Sequence, residues 1–269
     1  MLGRIRPVVC AVALLLATAA HAHDTLRVCA NPNNLPFSNA KGEGFENKLA
    51  ELIARELGET VSYTWTNEHE HFVKKTITAG KCDVLMGVPA AFNEVDTTIP
   101  YYISGYVFVS RKDRDLNISS MDDPRLRTLK IGLHLIGDEN TPPLEALARQ
   151  GITQNIVGYM IYRDMQIKGH SRLIDDVAAG IVDVAAMWGP LAGYYAKHAT
   201  VPLKVSLITD TAGFAPAIFQ YPIALGVRKG DSRLKAQLNL IVARKRVAIR
   251  NLLRVYGVPI IEMPARAAG

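Results

Sequence analysis

The chain has 269 residues, of which 49% are hydrophobic. That is long enough for one large domain or two small ones. Its 31 basic residues against 25 acidic ones give a formal charge of +6. No dense basic block accompanies it, which leaves nucleic-acid binding without support; the main basic cluster, Arg244-Lys245-Arg246, reads as a solvated helix face.

The first 22 residues read as a targeting segment. Arg4 and Arg6 form a positive start, and Val8 to Ala17 is an apolar run too short to span a bilayer comfortably. Ala20-His21-Ala22 fits a small-x-small cleavage site, so His23 is expected to begin the mature chain. Cys10 lies inside the apolar run rather than at its end, which argues against a lipoprotein site. Cleavage leaves 247 residues and, without Arg4 and Arg6, a formal charge of +4. No later stretch is apolar enough to cross a membrane, so the exported protein is expected to be soluble.

Leu26 to Ala30 reads as a first strand. The turn formers Asn31 to Phe37 follow. Phe45 to Leu57 has helical spacing, with apolar residues at 49, 52, 53 and 57, and ends at Gly58. Val61 to Trp65 is a second strand, His69 to Ala79 a second helix and Asp83 to Gly87 a third strand. Tyr106 to Val109 is a further strand leading into Arg111-Lys112-Asp113-Arg114-Asp115, a charge run suited to a connection between lobes.

Lys130 to His134 then starts a new series of elements. Thr141-Pro142-Pro143-Leu144 has the form of a helix start, with Thr as N-cap and Pro in the first turn. Asn155 to Tyr162 is strand-like, Leu173 to Ala179 helical, Gly189 to His198 a short aromatic helix and Leu203 to Ile208 strand-like. Tyr221 to Val227 is a strand able to run back to the first lobe. Leu234 to Tyr256 reads as one long amphipathic helix.

One pattern organises these elements. The segment Thr78 to Pro89 has a partner, Ala178 to Pro190, 100 positions later. Each copy runs helix end, Gly, two residues, Asp-Val, an apolar run, then Gly near Pro. Gly80 and Gly180 sit where a helix C-cap needs positive φ, and the apolar runs read as buried parallel strands. Two copies of one α/β unit imply two similar lobes with a working cleft between them.

Chemistry-bearing motifs are few. There is no Gly-x-Ser-x-Gly, His-Glu-x-x-His or P-loop, and no enzymatic activity is expected. Asp83 and Asp183 occupy equivalent places in different lobes, so strand-start roles explain them better than a catalytic pair. His69-Glu70-His71 lacks a third metal ligand, and no metal or cofactor is expected. Cys29 and Cys82 remain after cleavage; an exported chain matures in an oxidising compartment, so one disulfide is open beside two buried thiols.

Arg27-Val28, Pro36-Phe37, Gly44-Phe45, Pro100-Tyr101-Tyr102 and Val227-Arg228-Lys229-Gly230-Asp231 together resemble family 3 extracellular solute-binding proteins. Longer strings resemble the MxaJ/XoxJ subfamily: Cys29 to Asn39, Gly44 to Lys48, Gly80 to Val84, Gly87 to Pro89, His134 to Asp138, Asn140 to Pro143 and Trp188 to Tyr194. After the second strand the chain departs from that subfamily, with Thr66, Asn67, His69 and His71 in place of a Trp, a Pro and paired Arg. Ile99 and Ile103 likewise replace basic residues around Pro-Tyr-Tyr.

The resemblance implies an α/β fold, the type II periplasmic binding protein fold, with two lobes joined by two crossing strands. The lobes would be residues 23–110 with 222–269, and 111–221. That fold places the first and third strands side by side, which implies a Cys29–Cys82 disulfide. The cleft edges would be Asn33, Asn34, Pro36, Phe37, Pro89, Tyr101 and Tyr102 from one lobe. The other would give His134, Gly137, Thr141, Trp188 and Pro190. Amino-acid receptors of the family hold the ligand carboxylate with an Arg after the third strand; Ala91 stands at that place here, so an α-amino acid ligand is not expected. The subfamily resemblance implies a non-enzymatic periplasmic accessory of a PQQ (pyrroloquinoline quinone) methanol dehydrogenase, with that enzyme and its c-type cytochrome as partners. An ABC-transporter receptor for a small solute is the alternative.

Overall fold

A computed structural model describes residues 25–67, 71–135, 140–160 and 168–262. The elements in chain order are β1 (Thr25–Ala30), β2 (Asn33–Asn34), β3 (Ser38–Asn39), α1 (Phe45–Leu57), β4 (Thr60–Trp65), α2 (Phe72–Lys75), β5 (Val84–Pro89), β6 (Asp96–Thr97) and β7 (Tyr102–Arg111). Then come β8 (Ile131–Leu135), α3 (Pro142–Arg149), β9 (Ile156–Met160), α4 (Lys168–Ala178), β10 (Val184–Trp188), α5 (Gly189–Lys197), β11 (Leu203–Leu207), β12 (Gln220–Val227), α6 (Ser232–Arg244) and α7 (Arg246–Val255).

The main sheet runs β4-β1-β5-β12-β7-β10-β8-β9. At one end β4, β1 and β5 are parallel; at the other β10, β8 and β9 are parallel. Between them β12 and β7 pair antiparallel to each other, from Gln220 opposite Gly105 to Ile223 opposite Tyr102. These are the two crossing strands of a two-lobed α/β fold. Parallel strands need both faces covered. In the first lobe α1, α6 and α7 supply Phe45, Leu49, Ile53, Leu238, Ile241, Ile249 and Leu253 to a core with Val28, Val84 and Leu225. In the second lobe the sheet carries two clusters, one around Ile131, Leu133 and Leu147, the other around Leu173, Ile174 and Val177.

The repeat explains why each lobe begins as it does. Gly80 and Gly180 adopt φ of 73° and 74°, the left-handed conformation that ends a helical turn at little cost only for glycine. Three residues on, Asp83 accepts from the Arg27 backbone N–H and pairs with its guanidinium. Asp183 accepts from the Lys130 N–H and pairs with Arg114. Each carboxylate thus ties the start of one strand to its parallel neighbour, the strand-start role expected of both.

Some elements differ from the sequence pattern. The helix expected over residues 69–79 is only Phe72–Lys75 among the described residues. The β-branched run Thr76-Ile77-Thr78 disfavours continuation, and Thr76 turns its hydroxyl back onto the Phe72 carbonyl. The helix expected over residues 234–256 is two helices. Lys245, at φ −98° and ψ 11°, breaks it, and its ammonium pairs with Glu56 of α1, so the bend lets the chain wrap the lobe. The strand expected over residues 106–109 extends to Tyr102–Arg111 because it pairs with β12, β10 and β11. Thr141 does occupy the N-cap of α3, without a side-chain capping bond.

Candidate functional site: a cleft cavity with aromatic walls

A cavity of about 780 Å³ opens where the first lobe meets the crossing strands. Its walls come from the loop after β1, the first turn of α1, the C-terminal half of β5, the α2 region, β7, β12 and the end of β10. Loops at strand C-termini are where ligands bind in open α/β sheets.

Local packing fixes the geometry of the α1 end. The Asn47 carboxamide oxygen accepts from the Gly44 and Asn39 N–H groups, and the Glu46 N–H donates to the Phe37 carbonyl at 2.8 Å. Gly44 lies so close to this loop that a Cβ there would stand 2.0 Å from the Phe37 carbonyl oxygen. Glu46 is therefore held at the start of α1 and lines the cavity. Its carboxyl group lies over Gly87 of β5, where a Cβ would be 2.3 Å from Oε1. Among the described residues nothing donates a hydrogen bond to it. Burial raises it from the ordinary carboxylate range to about 7. The neighbouring Tyr101 and Tyr102 hydroxyls are pushed well above their usual range, mainly by burial.

Aromatic rings form the opposite side. Trp188 meets Tyr106 at 5.6 Å and Tyr221 at 5.8 Å between ring centroids, both edge-on. Trp188 and Phe37 each touch the cores of both lobes. His71, Lys74 and Glu94 also line the cavity and are exposed. Among the described residues no arginine lines it.

The expected cleft residues divide. Asn34, Phe37, Pro89, Tyr102 and Trp188 come together in this cavity. Asn33 is exposed on the small β2–β3 ribbon, and Pro36 is buried in the same loop. Tyr101 is buried behind the wall, its hydroxyl donating to the Met86 carbonyl at 2.8 Å. His134 and Thr141 are 5% and 7% exposed within the second lobe. Pro190 is buried in the first turn of α5. Gly137 lies outside the described residues, as do His69 and Glu70. Sequence reading missed Glu46, Tyr106 and Tyr221. Glu46 and Gly87 both stand in the strings quoted above, so the signal was present, but their contact spans α1 and β5.

Cys29 and Cys82 form a disulfide with a Cα–Cα distance of 5.5 Å; Cys29 lies directly at the cavity. Among the described residues no group of three potential metal ligands gathers, and no helix is long and apolar enough to cross a membrane.

The lobes also meet along α5. A Cβ on Gly193 would stand 1.9 Å from the Gly257 carbonyl oxygen, so the two backbones touch there. Lys197 donates to the Val255 carbonyl, and the Tyr195 hydroxyl to that of Leu35.

Residues 26–247 match the bacterial extracellular solute-binding proteins, family 3. Protein MoxJ of Paracoccus denitrificans is 32% identical over 267 residues, covering 93% of this chain and 95% of that protein. The crystal structure of MxaJ from Methlophaga aminisulfidivorans MPT superposes with a TM-score of 0.79 at 27% identity, covering 88% of this chain and all of that one. The periplasmic binding protein XoxJ from Methylobacterium extorquens AM1 gives 0.72 at 33% identity with the same coverage. The chain belongs to family 3 of the bacterial extracellular solute-binding proteins, in the branch that includes MoxJ, MxaJ and XoxJ.

Proposed function

We propose that this chain is a non-enzymatic periplasmic accessory protein of a PQQ-dependent methanol dehydrogenase, recognising the enzyme or a maturation intermediate through its cleft. The full-length likeness to MoxJ carries this reading. The cavity supports it: aromatic walls, with no arginine among the described lining residues, suit a protein segment better than a free amino acid, and buried aromatic anchors commonly dominate such contacts. Export would follow cleavage after Ala22, with residues 23–110 and 222–269 as one lobe and 111–221 as the other. The dehydrogenase's c-type cytochrome is a further partner on this reading.

Deleting the gene should impair methanol oxidation and leave the use of other carbon sources intact. Trp188→Ala should weaken co-purification with the dehydrogenase. Normal dehydrogenase activity in a deletion strain whose only methanol dehydrogenase is the paired enzyme would overturn the reading. The cavity size, within the range of small-ligand sites, favours one alternative, a receptor handing a small solute to an ABC transporter. Tight stabilisation by a solute, without association with the dehydrogenase, would decide for it.

A further inference from the structure

The Glu46 carboxyl group has neither a hydrogen-bond donor nor an ion-pair partner among the described residues, although Gly87 leaves it a fitted seat. Glu46 is partly exposed, as a group in the wall of an open cavity is, and a carboxylate that has lost part of its water gains when a cation or donors meet it. The other cavity-lining charges, on His71, Lys74 and Glu94, are all exposed. Meanwhile Phe37, Tyr102, Tyr106, Trp188 and Tyr221 line the same space. Aromatic faces attract cations, most strongly where water is excluded. An anionic ligand would meet Glu46 with no arginine to offset it.

We infer that the cavity is a site for an organic ammonium or guanidinium group, with the Glu46 carboxylate as counter-ion and the rings around Trp188 as its walls. The inference rests on the cleft being the recognition site, and it names what is recognised. The cation has two possible sources sharing this chemistry: a free amine, or a lysine or arginine side chain of the dehydrogenase. An α-amino acid fits this chemistry less well, because among the described residues no arginine lines the cavity to meet its carboxylate.

The test uses the mature protein with butylammonium and tetramethylammonium as probes and butanol and neopentanol as neutral counterparts. Trp188 borders the cavity, so its fluorescence reports occupancy. The cations should perturb it saturably and the neutral molecules much more weakly. Glu46→Gln keeps the shape and removes the charge; it should weaken cation binding at least about ten-fold, the scale of a charged hydrogen bond. Gly87→Ala is a second variant. Its methyl group displaces the flexible end of Glu46 and should weaken binding in the same direction while the chain keeps its fold. Competition between the purified dehydrogenase and butylammonium would assign the cation to the enzyme's side chain; binding of the amine without competition would assign it to a free ligand. Equal binding of cations and neutral molecules, or unchanged cation binding by both variants, would overturn the inference. Dehydrogenase co-purification measured on the same Glu46→Gln protein separates the two readings: retained association with lost amine binding leaves the accessory function standing.

Discussion

The two lobes begin with the same unit and finish it differently. In both, a left-handed glycine and an aspartate three residues later fasten a parallel strand to its neighbour. The registers match: Val28 and Cys29 stand opposite Val84 and Leu85, and Ile131 and Gly132 opposite Val184 and Ala185. Cys29 therefore corresponds to Gly132, and Cys82 to Val182. The first lobe joins its pair by a covalent bond. The second leaves position 132 without a side chain and fills the space with Leu173, whose Cδ1 lies 2.2 Å from where a Cβ would stand, with Tyr159 at 3.3 Å and Val182 at 3.5 Å beyond it. At the far ends β5 runs out through Gly87 and Pro89, leaving room for Glu46, whereas β10 passes from Trp188 directly into α5. Strand starts are governed by backbone bonding that any lobe must satisfy. Strand ends face the cleft, and there the lobes are free to differ.

Breaking the disulfide should show the contrast most strongly. Replacing Cys29 and Cys82 by serine should lower stability by about 2–4 kcal/mol in chemical denaturation, because the bond closes a long loop. Thiol labelling of the unreduced, denatured wild type should find neither cysteine free. An unchanged denaturation midpoint would mean that the first lobe, like the second, is held by packing alone.

Gly132→Ala probes the corresponding position. The new methyl group must push Leu173 aside in a packed core, at a cost of about 1–3 kcal/mol. Combining it with Leu173→Ala should give less than the sum of the two losses, since both act on one space. Strict additivity would dissolve the proposed equivalence with the disulfide.

At the strand ends, Glu46 separates the lobes by pH. Its folded pKa of about 7 lies above the ordinary value of 4.5, so folding favours the protonated form. The resulting penalty is absent below the unfolded pKa, grows as pH rises between the two values and is complete above about pH 7. Glu46→Gln should therefore be more stable than wild type above pH 7, by on the order of 1–2 kcal/mol with partial solvation of the carboxyl group allowed for. The difference should vanish towards pH 4. A difference independent of pH would show that the carboxyl group is fully hydrated.

The smallest effects belong to the shared strand starts. Asp83→Asn and Asp183→Asn should each cost less than about 1 kcal/mol, because both ion pairs are half exposed and screened by solvent. The two losses should agree. A much larger loss in one lobe would show that the repeat is only superficial.

Much of the fold could be read because its determinants are local. Gly58 and Gly180 mark helix ends and Gly80 closes the turn before β5, and Leu49 and Ile53 recur at helical spacing whatever they pack against. The end of the helix at Lys75 and the break at Lys245 were not legible in the same way. Periodicity continues through both points, and Thr76 and Glu56 are what interrupt or hold the chain there.

By itself the sequence determined the paired lobes and the crossing strand at Tyr221 to Val227. These follow from backbone preferences and from motif strings contiguous in the chain. Only the tertiary structure decided which aromatic faces the cavity, with Tyr102 lining it and Tyr101 bonded behind it to the Met86 carbonyl. It alone seated Glu46 over Gly87, 41 positions away in sequence. Such a contact depends on how α1 docks on β5, and no local preference of either segment encodes the distance between them.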